Sequence, residues 1–322
     1  MKLQILVPQY KEQEDIIKPL LDSIAIQQNV DFKDIGVIIV NDGTDVLLSD
    51  SFLKSYPYEI QYILADHRGV SATRQEAFDH ATADYVMWCD ADDMFYNACG
   101  LWIIFNEING EGFDSMSSTF IEETRIEGKP YYINRELDST FVHGKVHKRQ
   151  YLIDQNIRWN PDLTIHEDSF FNIQCLNLSP NIKYCASPFY LWKWRDESVC
   201  RHDPKYILKT YRNMIDSNDA LICEFTKRRV LDKAKSYVAF LVYDAYYLMN
   251  KPEWINQENQ EYRDLTEKRF SAYFRKHRKE WDDVSVQEKM QISQGIRGRS
   301  VAEGMQMETM TIDQWLKHIE EI

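Results

Sequence analysis

The chain has 322 residues, of which 44% are hydrophobic and 28% charged, so it can bury a substantial core as one large domain or two modest ones. Its formal net charge of −13 argues against a surface that binds polyanions in general. The charge is unevenly distributed. Residues 205–322 hold 20 basic and 19 acidic residues, which leaves 18 of the 38 basic and 32 of the 51 acidic residues in 1–204.

The sequence also sets expectations about the environment of the protein. Its six cysteines have no paired zinc spacing, so free thiols in a reducing compartment are expected. The chain starts with a strand-like run instead of a signal peptide, and no apolar segment approaches the roughly 20 residues of a spanning helix. We expect a soluble, cytoplasmic protein without a transmembrane segment.

The first hundred residues alternate strand and helix patterns. Near-continuous apolar runs predict strands at 3–7, 35–40, 59–64 and 85–89, and helical spacing predicts helices at 14–27 and 71–83, the second opened by a serine cap. Such alternation predicts an α/β fold with a mostly parallel sheet flanked by helices. Ligands of such sheets bind beyond the carboxyl ends of the strands, where this chain places three polar turns.

Beyond residue 100 the pattern changes twice. Residues 100–200 indicate mixed α/β structure, with a strand at 115–121, a turn at Gly128-Lys129 and a strand entering a helix within 141–149. Residues 205–250 and 260–281 look helical, and a last helix, 312–322, follows a Thr311 cap. We place a boundary near residue 203, between an α/β domain (1–203) and a helical region (204–322).

The turn at Asp90-Ala91-Asp92-Asp93 is the most informative segment. Three carboxylates within four residues repel each other, and burying them is costly unless something positive compensates. If the backbone turns at Ala91, Asp90 and Asp92 face one site and suit a hard divalent cation. For this short motif alone, a solvated acidic turn is the competing interpretation.

Two further segments carry polar groups beside this sheet edge. Asp42 follows a buried strand and could accept hydrogen bonds from a base or ribose, although such turns are common. Arg68 lies in a loop, and Arg74 lies in the first turn of a helix, where a cation opposes the helix dipole. Arg74 therefore makes more sense if it meets an anion, such as a phosphate or Asp42. An ordinary salt-bridged arginine is the alternative.

Two later segments are candidates for catalysis and closure. Glu167 and Asp168 begin a predicted helix, where acids are ordinary, yet a carboxylate near an acidic metal site can acquire a raised pKa and act as a general base. Residues 192–202 cluster cations and aromatics that could close over a diphosphate. Taken singly, Trp192 and Trp194 fit packing roles and His202 fits a surface position.

Taken in order, these segments resemble the motifs of family 2 glycosyltransferases with the GT-A fold. The matching segments are Val7-Pro8-Gln9-Tyr10-Lys11-Glu12, Val40-Asn41-Asp42-Gly43-Thr44-Asp45, Gly69-Val70-Ser71-Ala72-Thr73-Arg74, Asp90-Ala91-Asp92-Asp93, His143-Gly144-Lys145-Val146-His147-Lys148-Arg149, Glu167-Asp168-Ser169-Phe170-Phe171, and Arg195 with Ser198. Lys11 replaces the usual Asn, and Ala72-Thr73 replaces x-Ala. Residues 205–322 lie outside the resemblance.

The resemblance implies a division of roles for an inverting, nucleotide-sugar-dependent enzyme. UDP-sugar binding falls to Pro8, Tyr10, Glu12, Asp42, Arg68, Arg74, Asp90 and Arg201. Asp92, with His202, would hold Mn²⁺ or Mg²⁺ at the diphosphate, Asp168 would deprotonate the acceptor hydroxyl, and Glu167 would orient it. This division suits the chemistry, because a diphosphate leaves poorly unless its charge is neutralised and a hydroxyl is a weak nucleophile near neutral pH.

Two other classes of function compete with this interpretation. A non-catalytic nucleotide-sugar-binding or assembly protein would not need Asp90, Asp92 and Asp168 together. A nucleotidyltransferase would carry an N-terminal glycine-rich loop, and residues 5–20 contain no glycine. The acceptor stays open between glycan, polymer, lipid-linked, protein and modified nucleic-acid classes. The helical region could bind the acceptor or form a homo-oligomer, and its basic, aromatic stretch 269–276 is either a polyanion contact or a helix with a buried aromatic face.

Overall fold

A nine-stranded mixed sheet organises the first part of the molecule. The computed structural model describes residues 1–196, 206–251, 254–302 and 310–322, which divide into units Met1–Ser198 and Val199–Ile322. The strands are β1 Leu3–Gln9, β2 Ile35–Asp42, β3 Glu59–Ala65, β4 Tyr85–Trp88, β5 Met94–Phe95, β6 Ser115–Ile126, β7 Lys129–Arg135, β8 Lys145–Lys148 and β9 Ile182–Trp192. Their order is β3-β2-β1-β4-β8-β6-β9-β5, and β7 pairs with β6.

Most of these strands run in one direction, as the sequence predicts. β1 pairs in parallel with β2 and β4, and β2 with β3. β8 is antiparallel to both β4 and β6, and β9 is parallel to β6, so β6 and β9 point the same way as β1 to β4. The carboxyl ends of these six described strands therefore meet at one edge of the sheet.

Helices cover both faces of this sheet. The helices are α1 Glu14–Ala25, α2 Asp50–Leu53, α3 Val70–Asp79, α4 Gly100–Asn109, α5 Arg149–Asp154 and α6 Glu167–Asn177. Side chains of β1 alternate between two apolar clusters, because successive strand residues point to opposite faces. Ile5 and Val7 pack with α1, whereas Leu6 packs with Trp88 and Phe171 on the other face.

Three local features differ from the sequence-based prediction. Ser71 does not cap α3, because the helix begins one residue earlier behind Gly69 (φ 86°), and the Ser71 hydroxyl donates to the Leu163 carbonyl at 2.6 Å. The predicted strand at 115–121 continues to Ile126 and turns back into β7 at Glu127 and Gly128, which have positive φ. Helix α4 and strand β9 were not predicted at all.

The second unit is helical, as predicted. Its helices are α7 Tyr206–Lys227, α8 Leu231–Met249, α9 Gln260–Lys276, α10 Arg278–Asp282, α11 Val286–Ala302 and α12 Ile312–Glu321. Helix α8 is buried over most of its length, so its aromatic stretch forms core, as expected. Thr311 caps α12 through a capping box with Gln314. No helix in the described part of the chain is long and apolar enough to cross a membrane.

The described cysteines are all free thiols, in agreement with the sequence. They are Cys89, Cys99, Cys175, Cys185 and Cys223, and the first and third are buried.

Gly43, which follows β2, provides a test of how the turn after Asp42 is built. Gly43 has φ 69°, and an added Cβ would lie 2.2 Å from the backbone nitrogen of His67. Gly128 has a similar φ of 77° but open space around its Cα. Gly128→Ala should cost about 1–2 kcal/mol, the left-handed backbone term alone, and Gly43→Ala should cost a further ~1–3 kcal/mol from the clash. Urea unfolding of both variants measures the difference, and equal losses would contradict the clash.

Candidate active site

The candidate site lies at the sheet edge where the parallel strands end. Glu12 follows β1, Asp42 ends β2, the acidic turn 90–93 follows β4, and Arg195 follows β9. Helices α3 and α6 begin at the same edge and bring in Arg74 and the Glu167-Asp168 pair. The structure thus brings together the polar turns that the sequence analysis singled out.

A buried guanidinium joins the two halves of this site. Arg74 is 5% exposed, and it donates to Asp90 Oδ1 and to Glu167 Oε1, each at 2.8 Å. Its guanidinium carbon lies 4.9 Å from the Trp159 ring centroid. Burial alone would lower the pKa of Arg74, but attraction to Asp90 and then Glu167 outweighs it and raises that pKa. Arg74 therefore stays charged and holds the two acids together.

Arg74 meets anions, as expected from its sequence position, but Asp42 is not one of its described partners, which are Asp90 and Glu167. Asp42 instead accepts hydrogen bonds from the backbone amides of Arg68 at 2.8 Å and Gly69 at 3.1 Å. A carboxylate held by two backbone amides fixes the loop ahead of α3, and through it the start of the helix that carries Arg74.

A second arginine connects three strand ends. The Nη1 atom of Arg195 lies 3.0 Å from Asp92 Oδ2 and 3.5 Å from Glu12 Oε1. The other oxygen of Glu12 accepts hydrogen bonds from the backbone amides of Tyr10 at 2.8 Å and Lys11 at 3.3 Å. Arg195 is partly exposed, unlike Arg74, so its contacts are more open to exchange with a ligand.

The third carboxylate of the acidic turn points inward. Asp93 is 1% exposed and accepts hydrogen bonds from the Tyr190 hydroxyl at 2.6 Å and the Lys193 backbone amide at 2.9 Å. His143 Nδ1 lies 3.7 Å from the same carboxylate. The sequence pattern did not reveal Tyr190, because this residue sits within an apolar run that resembles core. His143 was noted only as part of a motif.

The remaining predicted donor residues lie around the ends of β1 and β2. Pro8 is opposite Val40 in the β1–β2 register. Tyr10 is exposed and stacks on the His67 ring at 5.0 Å between centroids. The Arg68 guanidinium contacts Glu76 at 2.8 Å, so only its backbone amide reaches the Asp42 carboxylate. Arg201 and His202, with Ser198, lie outside the described residues.

Asp168 has the properties of a titrating group near neutral pH. It is half-buried in the first turn of α6, and its Oδ1 accepts a hydrogen bond from the Ser169 backbone amide at 2.8 Å. Burial and then repulsion from Glu167 raise the pKa of Asp168 to about 7, while Arg74 opposes the rise. Glu167 contacts Arg74 directly and so stays fixed beside it.

The acidic turn carries more negative charge than its arginines balance. Burial and then repulsion from Asp90 raise the pKa of Asp92, although Arg195 opposes this. Burial and repulsion from Asp92 and Asp90 also raise the pKa of Asp93. Within the described residues, potential ligand atoms of Asp90, Asp93 and His143 lie within 4.8 Å of one another. A turn with surplus carboxylate oxygens fits a hard divalent cation.

The basic, aromatic stretch of the helical unit is paired and packed. Arg269 contacts Asp216, and Lys276 contacts Asp219. Phe270, Tyr273 and Phe274 are buried. Of the two interpretations of residues 269–276, the helix with a buried aromatic face agrees with these contacts.

Comparison with known proteins gives the same picture. Residues 4–120 match the model of glycosyl transferase family 2. Glycosyltransferase GlyA of Streptococcus pneumoniae is 25% identical over 228 residues, covering 62% of this chain and 32% of the relative. Teichoic acid poly(glycerol phosphate) polymerase of Staphylococcus epidermidis is 26% identical over 206 residues, covering 59% of this chain and 28% of the relative. The chain spans about a third or less of the length of these two relatives.

Solved structures share the fold. S. aureus TarS 1–349 in complex with UDP has a TM-score of 0.66 at 15% identity, covering 100% of this chain and 90% of that one. The same protein in complex with UDP-GlcNAc has a TM-score of 0.63 at 14% identity, covering 93% and 92%. A mannosyltransferase, PcManGT from Pyrobaculum calidifontis with GDP-Man and Mn²⁺, has a TM-score of 0.51 at 15% identity, covering 99% and 84%. Residues 4–120 thus resemble glycosyltransferase family 2, and the chain shares the GT-A fold of these solved structures.

Replacing Arg74 tests how far the site depends on it. Arg74→Gln should lower the free energy of unfolding by about 3–5 kcal/mol, because Asp90 and Glu167 would lose a buried cation. Arg158→Gln is the matched control, since Arg158 forms an exposed pair with Asp79 and should cost no more than about 1 kcal/mol. Chemical denaturation measures both. A loss in Arg74→Gln as small as in the control would show that the bridge is dispensable.

Proposed function

We propose that this chain transfers a sugar from a UDP-sugar to an acceptor hydroxyl by a metal-dependent, inverting displacement with Asp168 as general base. The observation that carries the proposal is the Arg74 bridge. It joins Asp90, on the acidic turn assigned to the donor, to Glu167, the neighbour of Asp168. A transferase must hold donor and acceptor in one reactive geometry, and one rigid link between their binding groups serves that need.

Donor binding is assigned to the ends of β1, β2 and β4. Tyr10 offers an exposed ring beside Pro8, and the Asp42 turn lies on the neighbouring strand. Glu12 and Asp90 complete the proposed donor-binding residues of these strands. Arg68 and Arg201 are also assigned to donor binding. The UDP and UDP-GlcNAc complexes of TarS, which shares this fold, support uridine as the nucleoside.

The metal is assigned to Asp92, with Asp90 beside it and His202 as a further candidate. Mn²⁺ or Mg²⁺ bound there would neutralise the diphosphate as it leaves. Burial, and then repulsion from Asp90, raises the pKa of Asp92, and a cation bound there would offset both effects. The Arg195 guanidinium contacts Asp92 at 3.0 Å and would supply positive charge at the same place.

The base is assigned to Asp168. With its pKa raised to about 7, the carboxylate is partly ionised at neutral pH and basic enough to accept the proton of an acceptor hydroxyl. Glu167 is held by Arg74 and would orient the acceptor or the sugar. A single displacement assisted by such a base inverts the anomeric carbon.

The proposed acceptor is a polymer that offers a hydroxyl group. Glycan, polymer, lipid-linked and modified nucleic-acid acceptors all offer a hydroxyl. The teichoic acid polymerase among the relatives favours a polymer. The helical region, residues 204–322, is proposed to bind this acceptor or to form a homo-oligomer.

A thermal-shift experiment tests the donor and the metal. UDP with Mn²⁺ should raise the melting temperature of the chain, since a ligand at 100 times its Kd stabilises the folded state by about 2.7 kcal/mol. In Asp92→Asn the part of the shift that requires Mn²⁺ should disappear, while the melting temperature without ligand stays close to that of the parent chain. No shift with any nucleotide would refute the proposed function and its non-catalytic alternative together.

The role of Asp168 has a pH signature. A base must be deprotonated, so kcat/KM for transfer should rise with pH through about 7 and level off above it. Asp168→Asn should lower kcat by about 10²–10⁴-fold and abolish this rise, while UDP binding is retained. Transfer assays between pH 5.5 and 9 measure the profile. A variant that keeps the parent profile would assign the titration to another group.

A further inference from the structure

The acidic turn is connected to a neighbouring strand by one buried tyrosine. Directly after Asp93 the chain forms β5, which pairs antiparallel with β9 so that Phe95 lies opposite Tyr190. Tyr190 is completely buried. Its side chain extends from β9 back to the turn, although about 100 residues separate the two in sequence.

The Tyr190 hydroxyl contacts both ends of this turn. It accepts a hydrogen bond from the Asp90 backbone amide at 3.2 Å and donates one to Asp93 Oδ2 at 2.6 Å. The other oxygen of Asp93 accepts from the Lys193 backbone amide at 2.9 Å. The first and last residues of the turn are therefore both attached to the end of β9.

This attachment determines where Asp92 lies. Asp92 is between the two attached residues, and Arg195, which it contacts at 3.0 Å, is two residues beyond Lys193. If the attachment is lost, Asp92 and Arg195 are no longer fixed to the same framework. Both oxygens of Asp93 accept hydrogen bonds from protein donors and Tyr190 is completely buried, so positioning is the role that their contacts support.

The surroundings of Asp93 support an internal role. The His143 ring stacks on Tyr190 at 5.0 Å between centroids and closes one side of the carboxylate. Phe120 and Trp192 pack against the same His143 ring. Asp93 is thus enclosed by aromatic side chains and by the two groups that donate hydrogen bonds to it.

We propose that Tyr190 and Asp93 are positioning residues that hold Asp92 at its distance from Arg195 and so set the affinity of the site for its metal. This inference rests on the proposed function, because it assigns the metal to Asp92. Groups that orient metal ligands from behind change metal affinity by about 10–100-fold when they are removed.

Tyr190→Phe tests the inference, since it keeps the packed ring and removes only the hydroxyl. The Kd of Mn²⁺ in the presence of UDP, measured without transfer by isothermal titration calorimetry, should rise about 10–100-fold, as should the Mn²⁺ concentration for half-maximal transfer at saturating UDP-sugar. At saturating Mn²⁺, kcat should recover to about the parent value, because the Tyr190 side chain is completely buried. A residue that only stabilised the fold would leave the Mn²⁺ dependence unchanged.

Tyr58→Phe is the matched control. Tyr58 is also buried in the first unit, and its hydroxyl donates to the Leu21 carbonyl at 2.7 Å, away from the acidic turn. It should keep the parent Mn²⁺ dependence. If Tyr190→Phe does not fold, Asp93→Asn provides the same measurement, because the amide has the shape of the carboxylate but presents an N–H group toward one of its donors.

The results separate this inference from the proposed function. A parent enzyme without any Mn²⁺ response refutes the metal assignment and this inference with it. A parent enzyme that requires Mn²⁺, with Tyr190→Phe and Asp93→Asn of unchanged Mn²⁺ dependence, overturns the inference alone. A selective increase in the Mn²⁺ requirement of both variants supports it.

Discussion

The charge of Arg74, held away from water, is the constraint on which the rest of the site depends. A buried guanidinium is costly unless it is paired and hydrogen-bonded. The two Nη groups of Arg74 pair with Asp90 and Glu167 and its guanidinium stacks on Trp159, while its buried Nε has no hydrogen-bond partner among the described residues. These contacts fix α3 against the end of β4 and the start of α6. The acidic turn and the Glu167-Asp168 pair are therefore held together by one residue that belongs to neither segment.

The two arginines of the site differ in a way that matches different tasks. Arg74 is buried between its carboxylates, which suits permanent structure. Arg195 is partly exposed and shares one nitrogen between Asp92 and Glu12, which suits a contact that a ligand can replace. Burial first, and then repulsion between neighbouring carboxylates, raises the pKa values of Asp92, Asp93 and Asp168, and the two arginines do not offset it.

Much of the fold was predictable because its signals are local. Continuous apolar runs and turn residues identified β1 to β4, and the acidic turn stood out by composition. The partners of these groups were not predictable in the same way. Periodicity does not reveal that β8 lies between β4 and β6, or that Tyr190 reaches the acidic turn, since both depend on pairing between segments far apart in sequence. The sequence placed the Asp90 turn at the sheet edge and Glu167 at the start of a helix but could not show that Arg74 bonds to both.

The antiparallel insertion of β8 affects how this site is assembled. Strands β1, β2 and β4 reach the functional edge where they end, whereas β8 reaches it where it begins, at Lys145 next to the end of β4. The segment before β8 is attached there by its own contacts, since Asp138 accepts from the Lys145 ammonium and Asn172 of α6 donates to Thr140. One side of the candidate site is thus built from the segments that follow β1, β2 and β4. The other side is built from the segment that leads into β8. Changes in length before β8 can reshape the second side while the first keeps its register, so the two sides of the site can vary independently.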